Sequence, residues 1–421
     1  DPGVYHALRQ SVGPRLGAAL GAAFYLAFVV DVCFYVTGFC ETLVTSAGLA
    51  SMEQVFTWNP PGTWVSMSIG SAALAALAAI CARGVHFSAK VSLCVLIVIV
   101  SCIGTSLVCL MLPTDDDETG ETAISAQTFR SNTMPELKSN DLEKKQGWHD
   151  SLTLMFVLVF PGFTGVLAGS NLCGELRTPA TSIARGTLSS LVFVLVTYVT
   201  ICLTLAATVQ REVLRTNLLA MQTVVLHALG LPIGQIGVAC TTLSSALSYL
   251  LGAPRLLQAV ARDSEWAPLR LLVTCDGQQP LRALFVTWLI AQLIMLTGTV
   301  NLLAPFVSGL FLLAFALINL VCFVASVSRS HFAPRLRVPT KLVSLTGFTL
   351  SFVAMSSALS ATMYMSISSA VLFVLLVVWQ GKALLNLFMH GERPSLGVQP
   401  PLLPSADLST DAVSEANFER A

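Results

Sequence analysis

Apolar residues fall into runs of about 20 or more along this chain, separated by short polar connections with Gly and Pro at their ends. The pattern predicts ten helices, at 17–43, 62–82, 86–112, 151–173, 183–209, 232–260, 281–299, 302–326, 342–360 and 362–387. Most of these runs are long enough to cross a bilayer as α-helices. The expected organisation is an entry segment at 1–16, an all-α polytopic transmembrane domain at 17–389 and a polar, Pro-rich tail at 390–421. The longest polar stretch, 113–150, opens with Asp115, Asp116, Asp117 and Glu118 and reads as a solvated, partly disordered extracellular loop. Residues 211–229 read as an amphipathic extracellular helix or half-helix.

Composition strengthens this reading. The chain is 54% hydrophobic and 11% charged, less than half the charged share of a soluble domain. With the N-terminal segment placed in the cytoplasm, 17 of the 23 basic residues fall on the cytoplasmic side. Both termini are then cytoplasmic, and a multi-pass plasma-membrane protein in contact with lipids is expected. Ten of the 11 cysteines lie in or beside the apolar runs without metal-ligand spacing, so they read as small packing residues. Gly13, Gly17 and Gly21, spaced four apart, mark a close helix approach. There is no GxSxG, GxxxxGK[ST], HExxH or GxGxxG, so neither an enzyme, a cofactor, an ATP site nor a nucleic-acid partner is expected.

One span departs from a simple membrane helix. Phe160-Pro161-Gly162-Phe163-Thr164-Gly165-Val166-Leu167-Ala168-Gly169 places a Pro and three Gly at mid-bilayer depth. Pro161 removes a backbone donor and the glycines loosen the chain, so a broken helix is expected. Unwound backbone survives in a bilayer only where protein buries it or it lines a cavity. Carbonyls before the break could hold a cation, and N–H groups after it an anion. Asp31, in the middle of the first span, must face protein or a wet cavity. It lies four residues before Tyr35, on the same helix face. Two readings stand side by side: a cation- or proton-linked carboxylate, and a carboxyl hydrogen-bonded to a neighbouring helix.

The stretch FPGFTGVLAGSNLCGEL at Phe160–Leu176 resembles the sixth helix of the cation–chloride cotransporters, within the amino acid–polyamine–organocation superfamily. In chain order, Gly3-Val4-Tyr5 through Gly21 resembles the entry to that family's third helix, and Cys33–Phe39 its Tyr-bearing segment. Thr242–Ala246 with Gly252–Arg255 is similar to the eighth helix, and Asn301–Pro305 with Ala314–Asn319 to the tenth. The resemblance implies a LeuT-type inverted-repeat transporter fold, N-terminally truncated so that the family's first two helices are missing. The last two spans would be the family's eleventh and twelfth, which would make homodimer contacts.

The resemblance also implies roles. Tyr35, the Pro161 carbonyl and Thr164 would coordinate potassium. Gly165, Val166 and Leu167 would offer N–H groups to chloride. The Thr241 carbonyl with Ser244 and Ser245 would form a sodium site. Phe315 stands where chloride-transporting members place a Tyr, and a Phe cannot donate to an anion. The implied activity is secondary active symport of potassium and/or sodium with chloride by alternating access. The alternatives are an amino-acid permease of the same superfamily and a non-transporting regulatory or interaction protein on the same scaffold.

Overall fold

The computed structural model describes residues 5, 9, 14–46, 63–112, 124–133, 155–176, 178–217, 219–263, 267–273, 279–295, 300–327 and 340–361. The predicted span 362–387 and the tail 390–421 lie outside them. The described chain is nearly all helical: α1 (Pro14–Ser46), α2 (Thr63–Ala82), α3 (Val85–Met111), α4 (Ala126–Thr133), a 3-10 helix (Phe160–Glu175), α5 (Pro179–Thr208), α6 (Arg211–Thr216), α7 (Ala220–Leu229), α8 (Ile233–Asp263), α9 (Ala267–Arg270), α10 (Leu281–Met295), α11 (Val300–Val327) and α12 (Thr340–Ala361). Among the described residues, six helices are by themselves long and apolar enough to cross a membrane. They are the central parts of α1, α2, α3, α5, α8 and α11.

The core forms where α1 packs along α8 and against α11, with α10 and α2 closing one side. Three rings join these helices. Phe28 of α1 meets Tyr249 of α8 edge-on at 5.2 Å and stacks on Phe311 of α11 at 6.0 Å, while Tyr249 and Phe311 meet at 5.9 Å. Each such pair adds about 0.5–1.5 kcal/mol beyond the area it buries. The close approach predicted from the small residues is present at Gly21. A Cβ there would lie 2.6 Å from the Tyr5 ring and 2.6 Å from Val260 of α8.

The outer helices are apolar on their outer faces. Val192, Phe193, Leu195 and Val196 on α5, and Leu93, Leu96 and Ile97 on α3, are exposed. Apolar side chains in this position suit a lipid surround rather than water. Cys33, Cys40, Cys81, Cys102 and Cys109 are buried among the helices, as packing residues would be.

Two stretches outside the spans take definite form. Part of the 113–150 stretch is folded: α4 docks on the end of α5. There Asn132 Nδ2 donates to the Ala206 and Val209 carbonyls at 2.9 and 2.8 Å, and the Ser125 N–H donates to the Ala207 carbonyl. A side-chain amide that closes exposed helix-end carbonyls is a C-terminal cap. The stretch 211–229 is two short helices rather than one. Asn217 separates them, its Oδ1 accepting the Leu219 N–H at 2.9 Å, and Gly230 ends the second at φ +64°.

Candidate functional site

The 3-10 helix is the element on which the site is built. In place of the open break expected from the sequence, Phe160–Glu175 winds continuously with three residues per turn. Pro161 still leaves its mark. An α-helical turn would have paired the Val157 carbonyl with the N–H of residue 161, and a proline has none. The buried Ser308 of α11 fills that gap, its Oγ donating to the Val157 carbonyl at 2.6 Å. The glycines, which have no Cβ, permit tight winding over a length that ordinary sequences avoid.

Three-fold winding sorts the side chains into faces, because residues i and i+3 eclipse. Pro161 and Thr164 are buried and Leu167 packs on the core, so this face meets α1 and α8. Gly162 and Gly165 face the other way and line an open cleft of about 480 Å³ against α5, where Ser182, Gly186 and Ser190 form the opposite wall.

Oxygen atoms from three elements converge on the inward face. Tyr35 Oη donates to the Pro161 carbonyl at 2.9 Å. Thr164 Oγ1 stands 2.8 Å from the same carbonyl and 3.1 Å from Asp31 Oδ2. Tyr249 Oη donates to Thr164 Oγ1 at 3.1 Å. The Tyr35 and Tyr249 rings stack at 6.1 Å, and Ser245 lies beside the Tyr35 hydroxyl. Asp31 and Thr164 are both fully buried, and Asp31 Oδ1 has no hydrogen-bond partner. A buried polar atom in that state costs about 1–3 kcal/mol unless something fills the need.

The residues singled out from the sequence fare differently. Tyr35, Pro161 and Thr164 are brought into one cluster, and Asp31 joins it from one helical turn along α1. Ser245 borders this cluster, whereas Ser244 offers its carbonyl to Ser248 Oγ at 3.0 Å. Thr241 is exposed, its hydroxyl donates to the Gly237 carbonyl at 2.7 Å, and its own carbonyl lies within the regular winding of α8. Gly165 and Val166 line the cleft while Leu167 turns to the core. In a 3-10 helix each of their N–H groups is taken by the carbonyl three residues earlier, so an anion would require local unwinding. Phe315 packs edge-on against Phe160 at 6.2 Å.

Two residues were not singled out for the parts they play. Tyr249 sits four residues after Ser245, on the same face of α8, and that spacing was the available signal. Glu41 accepts the Val300 N–H at 3.0 Å and caps the start of α11.

Comparison with known proteins agrees with this architecture. The family model described as Amino acid permease matches residues 2–386. Solute carrier family 12 member 9 of Danio rerio is 28% identical over 353 residues, covering 79% of this chain and 39% of that protein. Solute carrier family 12 member 1 of Mus musculus is 28% identical over 395 residues, covering 84% and 34%. An uncharacterized transporter of Schizosaccharomyces pombe is 29% identical over 358 residues, again covering 84% and 34%. The chain thus spans between a third and two fifths of the length of these relatives. The resemblance to cation–chloride cotransporters read from the helix motifs is matched by these solute carrier family 12 relatives.

Proposed function

The chain belongs to the amino acid permease family, and from that premise we propose that it carries potassium and/or sodium together with chloride across a membrane as a secondary active symporter. It is an integral, multi-pass membrane protein of a transporter family. The observation that carries the proposal is the convergence of the Tyr35 and Thr164 hydroxyls on the Pro161 carbonyl, with the Asp31 carboxyl one contact further on. Uncharged hydroxyl and carbonyl oxygens are the hard donors an alkali cation exchanges for its hydration shell. These donors sit on two elements, the 3-10 helix and α1. Rocking one against the other would open and close the set, as alternating access requires. Chloride would bind at Gly165, Val166 and Leu167 once that turn unwinds, and sodium would use Ser245 with Ser244 and Thr241. The proposed placement is the plasma membrane with both termini cytoplasmic, following the distribution of Lys and Arg.

The cleft beside Gly162 and Gly165 favours one second reading. At about 480 Å³ it has room for a small organic solute, and an amino-acid permease would hold a carboxylate at this helix. Uptake of labelled rubidium, chloride and mixed amino acids into vesicles, with and without sodium, separates the two readings. Rubidium and chloride uptake that depend on each other, and that Tyr35→Phe and Thr164→Val each weaken, is the expected result. Amino-acid uptake without ion flux would replace symport of inorganic ions by the second reading.

A further inference from the structure

We propose that one face of α8 is the approach to the cation site. The amides of Gln222 on α7 and Gln235 on α8 form its first station, where an entering alkali cation exchanges water for carbonyl oxygens. The inference rests on the cation site proposed above and adds the way into it.

Among the six described helices long and apolar enough to span a membrane, α8 is the least apolar. Its polar residues are not scattered. Gln235, Thr242, Ser245 and Tyr249 follow one another at intervals of seven, three and four residues. With 3.6 residues per turn, those intervals keep all four within about 80° of one another round the helix. The face ends at the oxygen cluster, because Tyr249 Oη donates to Thr164 Oγ1 at 3.1 Å and Ser245 lies beside the Tyr35 hydroxyl. Measured back from Tyr249 along the axis, Ser245 stands about 6 Å away, Thr242 about 10 Å and Gln235 about 21 Å. Thr242 and Ser245 are half-buried. The Thr242 hydroxyl donates to the Val238 carbonyl at 2.9 Å, which leaves its oxygen lone pairs for another partner.

Gln222 meets α8 one residue from Gln235. α7 packs so closely on the start of α8 that a Cβ at Gly234 would lie 3.0 Å from Gln222 Cα and 3.2 Å from its Cβ and Cγ. Gln222 is only 7% exposed. The side-chain oxygens of Gln222 and Gln235 are both buried, and neither has a hydrogen-bond partner among the described residues. A buried acceptor without a donor is destabilising, so two at one helix contact call for something that fills the need. Amide oxygens are the hard, uncharged ligands that replace the hydration shell of an alkali cation, and they repel an anion. Being uncharged, they also release the ion readily, which suits a station on a path better than a final site. From there Thr242 and Ser245 offer hydroxyl oxygens on the way to Thr164.

The full chain in lipid vesicles tests the assignment. Initial rubidium uptake is read against rubidium concentration, and equilibrium rubidium binding is read on the same protein in detergent. Gln222→Leu and Gln235→Leu remove the oxygens at nearly constant volume. Exchanging an unpartnered buried amide for an apolar group should leave the melting temperature unchanged or raise it. Each variant should slow uptake at low rubidium by about three- to tenfold, as loss of a contact of hydrogen-bond strength would, with the equilibrium Kd unchanged. Gln235→Glu, which adds a charge and keeps the shape, should instead speed uptake, most of all at low salt.

Uptake unchanged in both Leu variants would overturn the station and leave the cation site standing, the two oxygens then being met by water. A slower uptake matched by an equal rise in the equilibrium Kd would also overturn it, since the amides would then act through the cation site itself. Absence of rubidium binding and uptake in the unmodified chain would overturn the cation-site reading and the approach together. If the Leu variants do not fold, Gln235→Glu decides, because the expected effect is a gain; equal or slower uptake overturns the station.

Discussion

Tyr249 and Thr164, 85 residues apart in the chain, meet through a 3.1 Å hydrogen bond that ties α8 to the 3-10 helix. The same tyrosine ring meets Phe28 and Phe311 edge-on and stacks on Tyr35. Its ring belongs to the core and its hydroxyl to the oxygen cluster around Thr164, so the two functions can be separated by removing a single oxygen.

Tyr249→Phe should preserve the stacking and delete the hydrogen bond. Loss of one such bond is worth about 0.5–1.5 kcal/mol, which corresponds to a roughly two- to tenfold rise in the rubidium KM. Folding, read by thermal denaturation in detergent, should change little. A large fall in the melting point with an unchanged KM would show that the hydroxyl acts only in folding.

Ser308→Ala should strand the Val157 carbonyl left without a donor by Pro161. An unsatisfied buried acceptor costs about 1–3 kcal/mol, so the melting temperature should fall. Ser308→Thr, which keeps the hydroxyl, should lose less. Replacing Pro161 by Ala in the Ser308→Ala protein should recover part of the loss, because residue 161 then has an N–H to offer.

Gly21→Leu should separate α1 from α8. A side chain there meets the Tyr5 ring and Val260 at contact distances no real Cβ tolerates. Overpacking of this kind costs about 1–3 kcal/mol. Pairing it with Val260→Ala should relieve only part of the damage, since the Tyr5 ring remains. Monodispersity on gel filtration and the melting point report both effects.

Asn132→Ala should release α4 from the end of α5 by removing both amide hydrogen bonds to Ala206 and Val209. Amide hydrogen exchange in 126–133 should speed up by about tenfold or more, while exchange in α1 and α8 should not change. Equal protection in both proteins would mean that α4 is held by its other contacts.

Much of the architecture was legible because membrane spans follow from run length and hydrophobicity alone. The spans at 17–43, 86–112 and 183–209 agree with α1, α3 and α5 to within a few residues. Asp31, Tyr35 and Thr164 were recognisable because polar groups are scarce at that depth and the spacing of Asp31 from Tyr35 follows helix geometry. The form of the Phe160–Glu175 segment was not legible. Pro and Gly show that regular α-winding is disfavoured, but do not say whether the chain opens or tightens. Ser308, on a distant helix, supports the tightened form by satisfying Val157. Tyr249 looked like one more aromatic in an apolar run, since only the packing of α8 against the 3-10 helix brings its hydroxyl to Thr164. Thr241, Ser244 and Ser245 share one face of α8 by their i, i+3, i+4 spacing, and the Thr241 hydroxyl turns back to the Gly237 carbonyl one turn earlier.

The tight winding of Phe160–Glu175 also sets its length. At about 2.0 Å of rise per residue these 16 residues reach roughly 32 Å, about the thickness of a bilayer's hydrocarbon layer. The same residues wound as an α-helix, at about 1.5 Å each, would reach roughly 24 Å. Each residue that passes from 3-10 to α winding shortens the segment by about 0.5 Å and rotates everything beyond it. Wound tightly, the segment thus reaches about 8 Å further than an α-helix of the same residues would.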